Sequence, residues 1–192
     1  MEALLDLDRE LLLGINGAHS PFWDEVMWWI SYKLTWIPVY ALLLGALIWK
    51  YGWKRALVIA VLTGLAILIS DRVSSGFFKP TVMRLRPCHE PGLMEYVHLV
   101  RNKCGGQYGF LSSHASNFFA LATFLMSFFG LRWRLLGFGL AALTAYSRVY
   151  LGVHYPSDVL AGALLGVLCG VLVLVIDQKI ILRCLSFPQL NR

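Results

Sequence analysis

Five apolar stretches, each close to the length of a bilayer crossing, limit what this chain can fold into. A helix needs about 20 mainly apolar residues to cross the hydrocarbon layer. The stretches run from about Asp24 to Trp49, Ala56 to Phe78, Ala115 to Leu131, Leu135 to Tyr150 and Val159 to Ile176. Composition agrees, with 58% of the 192 residues hydrophobic and only 15% charged, against roughly 45–50% apolar in soluble domains. The predicted fold is therefore all-α, a polytopic transmembrane helix bundle of five spans, in one membrane-embedded domain covering residues 1–192. Residues 3–18, ALLDLDRELLLGINGA, mix acids with leucines at helical spacing and predict an amphipathic helix lying on the membrane. The opening MEALLDLDRE lacks the basic start and short apolar centre of a signal peptide, so no cleaved segment is expected. Pro38 is placed to kink the first span. Gly162, Gly166 and Gly170 give the fifth a small-residue face for close packing.

Orientation is read from the short connections. Lys50, Lys54 and Arg55 join spans one and two, Arg132 and Arg134 join three and four, and Lys179 and Arg183 follow span five; excess Lys and Arg mark the cytoplasmic side. The first 32 residues, with six acids and one arginine, then face outward. So does the loop from Lys79 to Gln107, yet it holds five basic residues against two glutamates, an excess that topology does not explain. The net charge of +6 is scattered between apolar runs, with no basic stripe interleaved with aromatics, so no nucleic-acid partner is expected.

With the spans placed, three polar clusters fall at one membrane surface: KPTVMRLRP (79–87), FLSSHAS (110–116) and SRVYLGVHYPSD (147–158). Each suits a phosphate. Lys79, Arg86 and Arg148 supply positive charge, and a guanidinium can grip phosphate oxygens through two parallel hydrogen bonds. Ser112 and Ser113 precede span three, so backbone N–H groups there would point out of a helix N-terminus, an anion site, and Ser112 adds a hydroxyl. His114 and His154 can transfer protons or act as nucleophiles near neutral pH. Asp158, four residues after His154, can reach one ring nitrogen, fix the tautomer and leave the other nitrogen to attack. Taken singly, each residue has a plainer use: His114 bonded to backbone, Asp158 capping span five, Arg148 snorkelling to the surface. Three such clusters converging at one surface point to function, because charge near a span is costly.

Lys79 with six residues to Arg86-Pro87, Ser112-Ser113-His114, and Ser147-Arg148 with five residues to His154 and three more to Asp158 together resemble the three-part signature of the type 2 phosphatidic acid phosphatase superfamily. These are membrane-integral lipid phosphate phosphatases, usually of six spans. The second motif departs from the family's Pro-Ser-Gly-His, with Leu111 for proline and Ser113 for glycine, though serine keeps the backbone N–H. The resemblance implies that His154 attacks phosphorus to form a phosphohistidine held by Asp158. His114 would protonate the leaving oxygen and then activate water, and Lys79, Arg86, Arg148, Ser112 and the N–H groups near Ser113 would cradle the phosphate. No metal and no cofactor are expected, since the chain lacks a carboxylate cluster for Mg²⁺ and its four cysteines make no zinc spacing.

Cys88 and Cys104 flank these motifs in the outer loop, where an oxidising compartment lets them form a disulfide. Cys169 falls within span five and Cys184 in the tail, and His89 and His98 are expected to contact substrate or line the surface. The expected substrate is a membrane lipid phosphate at the outer face of a bacterial cytoplasmic membrane. Undecaprenyl diphosphate comes first, with phosphatidic acid, phosphatidylglycerol phosphate and lipid A phosphates as alternatives. Two further classes compete: a protein that binds anionic lipids without turnover, which would need no histidine pair, and a vanadate-dependent oxidation enzyme, typically soluble.

Overall fold

A computed structural model describes residues 2–185, with side chains from residue 3 to residue 179. Among the described residues the structure is helical, and an isolated bridge between Leu85 and Tyr108 is its only extended pairing. Seven α-helices follow in chain order: α1 (Glu2–Gly17), α2 (Pro21–Ser31), α3 (Ile37–Asp71), α4 (Lys79–Val82), α5 (Ser113–Leu125), α6 (Leu131–Tyr150) and α7 (Pro156–Leu185).

α3 is two helical arms joined at Gly52, whose φ of 76° is left-handed and costs glycine no Cβ clash. Tyr40 and Leu47 from the first arm line one groove with Ala60 and Ile67 from the second, so the chain reverses at Gly52. Two helical segments are long and apolar enough to cross a membrane: Lys33–Val82, which contains this reversal, with mean hydropathy 2.0, and Pro156–Lys179, with mean hydropathy 3.0. Large apolar side chains along both face outward, Leu42, Trp49 and Leu160 among them. A soluble monomer rarely exposes so much contiguous apolar surface.

The first expected span, Asp24 to Trp49, is divided. α2 stops at Ser31, Tyr32 is extended, a 3-10 turn covers Lys33–Trp36, and α3 starts at Ile37. Pro38 supplies the reason. Inside a continuous helix its ring would meet the Leu34 carbonyl, and it has no N–H to donate. In the first turn of α3 neither matters, so Pro38 begins a helix where a kink was expected. Trp36 closes the break by donating its indole N–H to the Ile30 carbonyl at 2.9 Å. The third expected span is also shorter, with α5 ending at Leu125 and a 3-10 turn at Met126–Phe128. α7 runs through Arg183 and Cys184, expected in a tail; their side chains lie outside the described residues.

α5 packs between α7, α3 and α6, most extensively on α7. The glycine series makes that possible. A Cβ at Gly162 would come within 2.5 Å of the Ser112 carbonyl oxygen, one at Gly166 would overlap that of Ser116, and one at Gly170 would lie 2.5 Å from Thr123 Cβ. At the far end of α7, Arg55 holds Asp177 through two hydrogen bonds of 2.7 and 2.6 Å, the forked geometry that favours arginine.

α1 docks against the bundle. Its buried stripe is Asp8, Leu12 and Asn16, at 6%, 0% and 1% exposure, whereas Leu4, Leu5, Leu7 and Leu11 are exposed. Two polar residues, Asp8 and Asn16, are thus turned inward beside Leu12, while Asp6, Arg9 and Glu10 stay exposed.

Gly166→Leu is expected to lower the thermal midpoint of the detergent-solubilised protein, since forcing bulk into a close-packed contact costs about 1–3 kcal/mol. Gly45→Ala, where nothing lies within 4 Å of the added Cβ, should melt with the wild type. Equal midpoints for the two variants would contradict the close α5–α7 contact.

Candidate active site

The site is assembled where α3, α5, α6 and α7 bring their ends together. α3 runs on through a wide π-helical turn, Arg72–Phe78, into α4, which carries Lys79. Such turns recur at functional sites. Beyond Met83 the chain is extended and pairs with the segment before α5: Arg86 N–H donates to the Gln107 carbonyl at 3.1 Å and Gly109 N–H to that of Arg84 at 2.9 Å. Gly109 is needed there, because a Cβ would stand 3.0 Å from Asp158 Oδ2 and 3.3 Å from Arg86 Cγ. Cys88 and Cys104 are joined in a disulfide with Cα atoms 6.1 Å apart, which closes the intervening loop.

A cavity of about 540 Å³ opens at this convergence, and Lys79, Arg86, Ser113, His114, Arg148 and His154 all line it. Of the residues expected from sequence, Ser112 and Asp158 stand behind its wall. Ser112 is buried and caps α5: its hydroxyl accepts from Ala115 N–H at 3.5 Å, and its own N–H donates to the Asp158 carbonyl at 3.0 Å. The cap uses a lone pair of the Ser112 oxygen and leaves its hydroxyl proton to donate elsewhere.

His154 is 1% exposed and lies between two partners. Arg86 Nη1 is 3.3 Å from Nε2 and Asp158 Oδ2 is 3.4 Å from Nδ1. A guanidinium can only donate, so Nε2 carries the lone pair and Nδ1 the proton, directed at the carboxylate. Burial first, then the positive charges of Arg86, Arg148 and Lys79, holds the His154 imidazole well below its usual pKa and keeps it neutral. Arg86 also donates to the Val153 carbonyl at 3.1 Å, and Arg148 donates through Nη1 to the Ser31 hydroxyl. Both arginines bury an Nε–H with no partner among the described residues. Buried donors are nearly always paired, so this pair of guanidiniums retains hydrogen-bonding capacity suited to an anion.

Several residues that sequence reasoning left unassigned complete the site. Arg84 donates to Asp158 Oδ1 at 2.9 Å, to the Ser157 hydroxyl at 2.7 Å and to Asp8 Oδ2 at 2.7 Å, and stacks over the Tyr155 ring at 3.9 Å. Asp8 also accepts from Ser157 N–H at 2.8 Å and from the Ser157 hydroxyl. A chain of charge therefore runs from Asp8 through Arg84 and Asp158 to His154. Arg84 could have been noticed as a third cation inside KPTVMRLRP; nothing in the sequence marked Asp8 apart from the other acids of α1. Asp71 and Asn117 also line the cavity, joined at 3.4 Å. Neither loop histidine lines it: His89 faces the Gly105 carbonyl, and His98 pairs with Asp24 at 2.9 Å.

Two apolar grooves border the cavity, sharing Tyr40 and Leu121 with it. One, of about 270 Å³, runs between the arms of α3 along Leu43 and Leu47. The other, of about 110 Å³, runs toward Trp133 and Leu140 of α6.

A sequence profile of the PAP2 superfamily matches residues 55–182. The chain is 42% identical over 188 residues to the lipid A 4'-phosphatase of Bacteroides thetaiotaomicron, covering 97% of this chain and 84% of that protein. It is 30% identical over 175 residues to undecaprenyl-diphosphatase BcrC of Bacillus subtilis, covering 86% and 82%. The crystal structure of a transmembrane PAP2 type phosphatidylglycerolphosphate phosphatase from Bacillus subtilis shares the fold, with a TM-score of 0.68 at 24% identity, covering 94% of this chain and 89% of that one.

Asp8 lies outside the matched residues, so its contribution can be tested apart from them. Asp8→Ala takes from Arg84 one of its two carboxylates and from the Ser157 N–H its acceptor, and leaving a buried donor unpaired costs roughly 1–3 kcal/mol. The expected result is a marked fall in thermal midpoint, against little change for Asp6→Ala on the exposed face; equal midpoints would show that Asp8 does not support the site.

Proposed function

The chain belongs to the PAP2 superfamily, and on that premise we propose that it is a lipid phosphate phosphatase in which His154 is the nucleophile. The observation that carries this is the buried, neutral imidazole of His154, whose Nε2 lone pair lies in a cavity walled by Lys79, Arg86 and Arg148. Phosphoryl transfer depends chiefly on positioning and charge stabilisation, and this site supplies both. The phosphate displaces the weak Arg86 contact at Nε2 and takes the guanidinium donors onto its own oxygens. Nε2 attacks phosphorus as the bond to the lipid oxygen breaks, and His114, doubly protonated while the phosphate dianion is bound, gives one proton to that oxygen. Asp158 stabilises the positive ring of the phosphohistidine. Water then gives a proton to His114 and attacks phosphorus, the P–N bond breaks, and phosphate and neutral His154 are restored.

The two apolar grooves beside the cavity support a lipid substrate, because chains can lie along them while the phosphate sits among the cations. Similarity favours the phosphate of a lipid A over the polyprenyl diphosphate expected from sequence, the lipid A 4'-phosphatase being the more similar of the two relatives. One observation favours the diphosphate as a second reading. Lys33, exposed at the start of the 3-10 turn before α3, lines the cavity and a neighbouring one of about 240 Å³, where it can meet a second phosphate. The cavity opens, in this proposal, at the outer face of a bacterial cytoplasmic membrane, the side opposite Lys50, Lys54, Arg132 and Arg134.

Purified protein is expected to release phosphate from lipid A faster than from undecaprenyl diphosphate or phosphatidic acid. His154→Ala and His114→Ala should abolish turnover, and Asp158→Asn should lower kcat by about 10²–10⁴-fold through the wrong tautomer. Wild-type turnover in both histidine variants would refute the mechanism. A cysteine introduced at Glu95 should react with an impermeant maleimide added from outside the cell; labelling only from the cytoplasm would reverse the orientation.

A further inference from the structure

Away from the phosphate cavity, three metal-ligating side chains meet from three segments: His19 in the link between α1 and α2, Asp24 in the first turn of α2, and His98 in the loop before α5. We propose that they form a binding site for a transition-metal ion, zinc being the closest match, which fastens the α1–α2 link to the loop that carries Arg86.

The geometry is near what such an ion needs. The candidate ligand atoms all lie within 4.8 Å of one another, and His98 Nε2 is already 2.9 Å from Asp24 Oδ2. Ligands on one zinc stand about 3.3 Å apart, given bonds of roughly 2.0–2.2 Å. The rings of His19 and His98 are stacked, centroids 3.7 Å apart and planes 8° from parallel, so their in-plane lone pairs run side by side, and both rings must turn by several tens of degrees for one nitrogen of each to point at a shared ion. When the ion enters, it takes the place of the proton shared by His98 and Asp24, and that proton leaves to solvent or to the other ring nitrogen. Two imidazoles and one carboxylate suit zinc, and with His19 exposed and Asp24 and His98 half-buried a fourth position is left for water.

The surrounding residues hold these ligands more firmly than an ordinary surface ion pair requires. Asn16, 1% exposed, accepts from His98 N–H at 2.7 Å and donates to the His98 carbonyl at 2.9 Å and to that of Tyr150 at 2.7 Å. The Tyr150 hydroxyl donates to Asp24 Oδ1 at 2.9 Å, leaving Oδ2 for the ion, and accepts from Ser20 N–H at 3.2 Å. Outer hydrogen bonds of this kind orient metal ligands. None of the three ligands lines the phosphate cavity, so the role is structural and holds whatever chemistry that cavity performs.

Tag-free full-length protein, stripped with chelator in detergent, is titrated with Zn²⁺ by calorimetry, and its thermal midpoint is followed with and without the ion. The wild type is expected to take up about one equivalent and to melt higher when loaded. His19→Ala, which removes no hydrogen bond on which the fold relies, should bind at least about tenfold more weakly and lose the thermal shift. His89→Ala and His154→Ala should bind as the wild type does. Uptake in the wild type no tighter than in His19→Ala, or uptake lost in His154→Ala and kept in His19→Ala, would overturn the proposal.

Discussion

Asp158 is a carboxylate with no exposed surface, and a buried charge is tolerated only when it is paired and hydrogen-bonded. Three contacts to the carboxylate meet that requirement, and with the bond made by the backbone carbonyl each fixes a different part of the molecule. Arg84 ties it to the extended segment before Arg86, Tyr155 N–H to the turn that opens α7, His154 to the cavity, and its backbone carbonyl to the start of α5. The close α5–α7 contact through Gly162, Gly166 and Gly170 keeps these partners within reach.

The site also gathers charges that repel. Lys79, Arg86 and Arg148 share one cavity with two histidines, and Asp71 is the carboxylate in its wall. Folding alone does not favour such a cluster; an anionic ligand does, because its oxygens relieve the repulsion and pair the guanidinium N–H groups. The same cluster holds His154 neutral, which an attacking nitrogen requires. Local rules of stability are thus broken at the cavity where chemistry is proposed.

Much of this was legible in the sequence, because spacing along helices and short loops carries it. The His154–Asp158 separation places both side chains at one turn, and the motif at 79–87 and the serines at 112–113 sit at ends of apolar runs, which must meet at a surface. What escaped was everything decided by how helices pack. Pro38 was compatible with a kink or with a helix start, and only the Trp36–Ile30 contact separates them. Asp8 was hidden because an acid on an amphipathic helix is expected to face water, whereas here it lies in the buried stripe beside Leu12 and meets Arg84. A partner 76 residues away in the chain leaves no mark on local periodicity.

The contact between Asp8 and Ser157 spans 149 residues of chain, which gives the site a history as well as a shape. α1 is synthesised early and α7 late, so through most of translation Asp8 has no partner and the imidazole no support. The surroundings of His154 can close only after nearly every helix has been made. Long-range closure of this kind is slow to form, and it ties the readiness of the cavity to completion of the whole bundle.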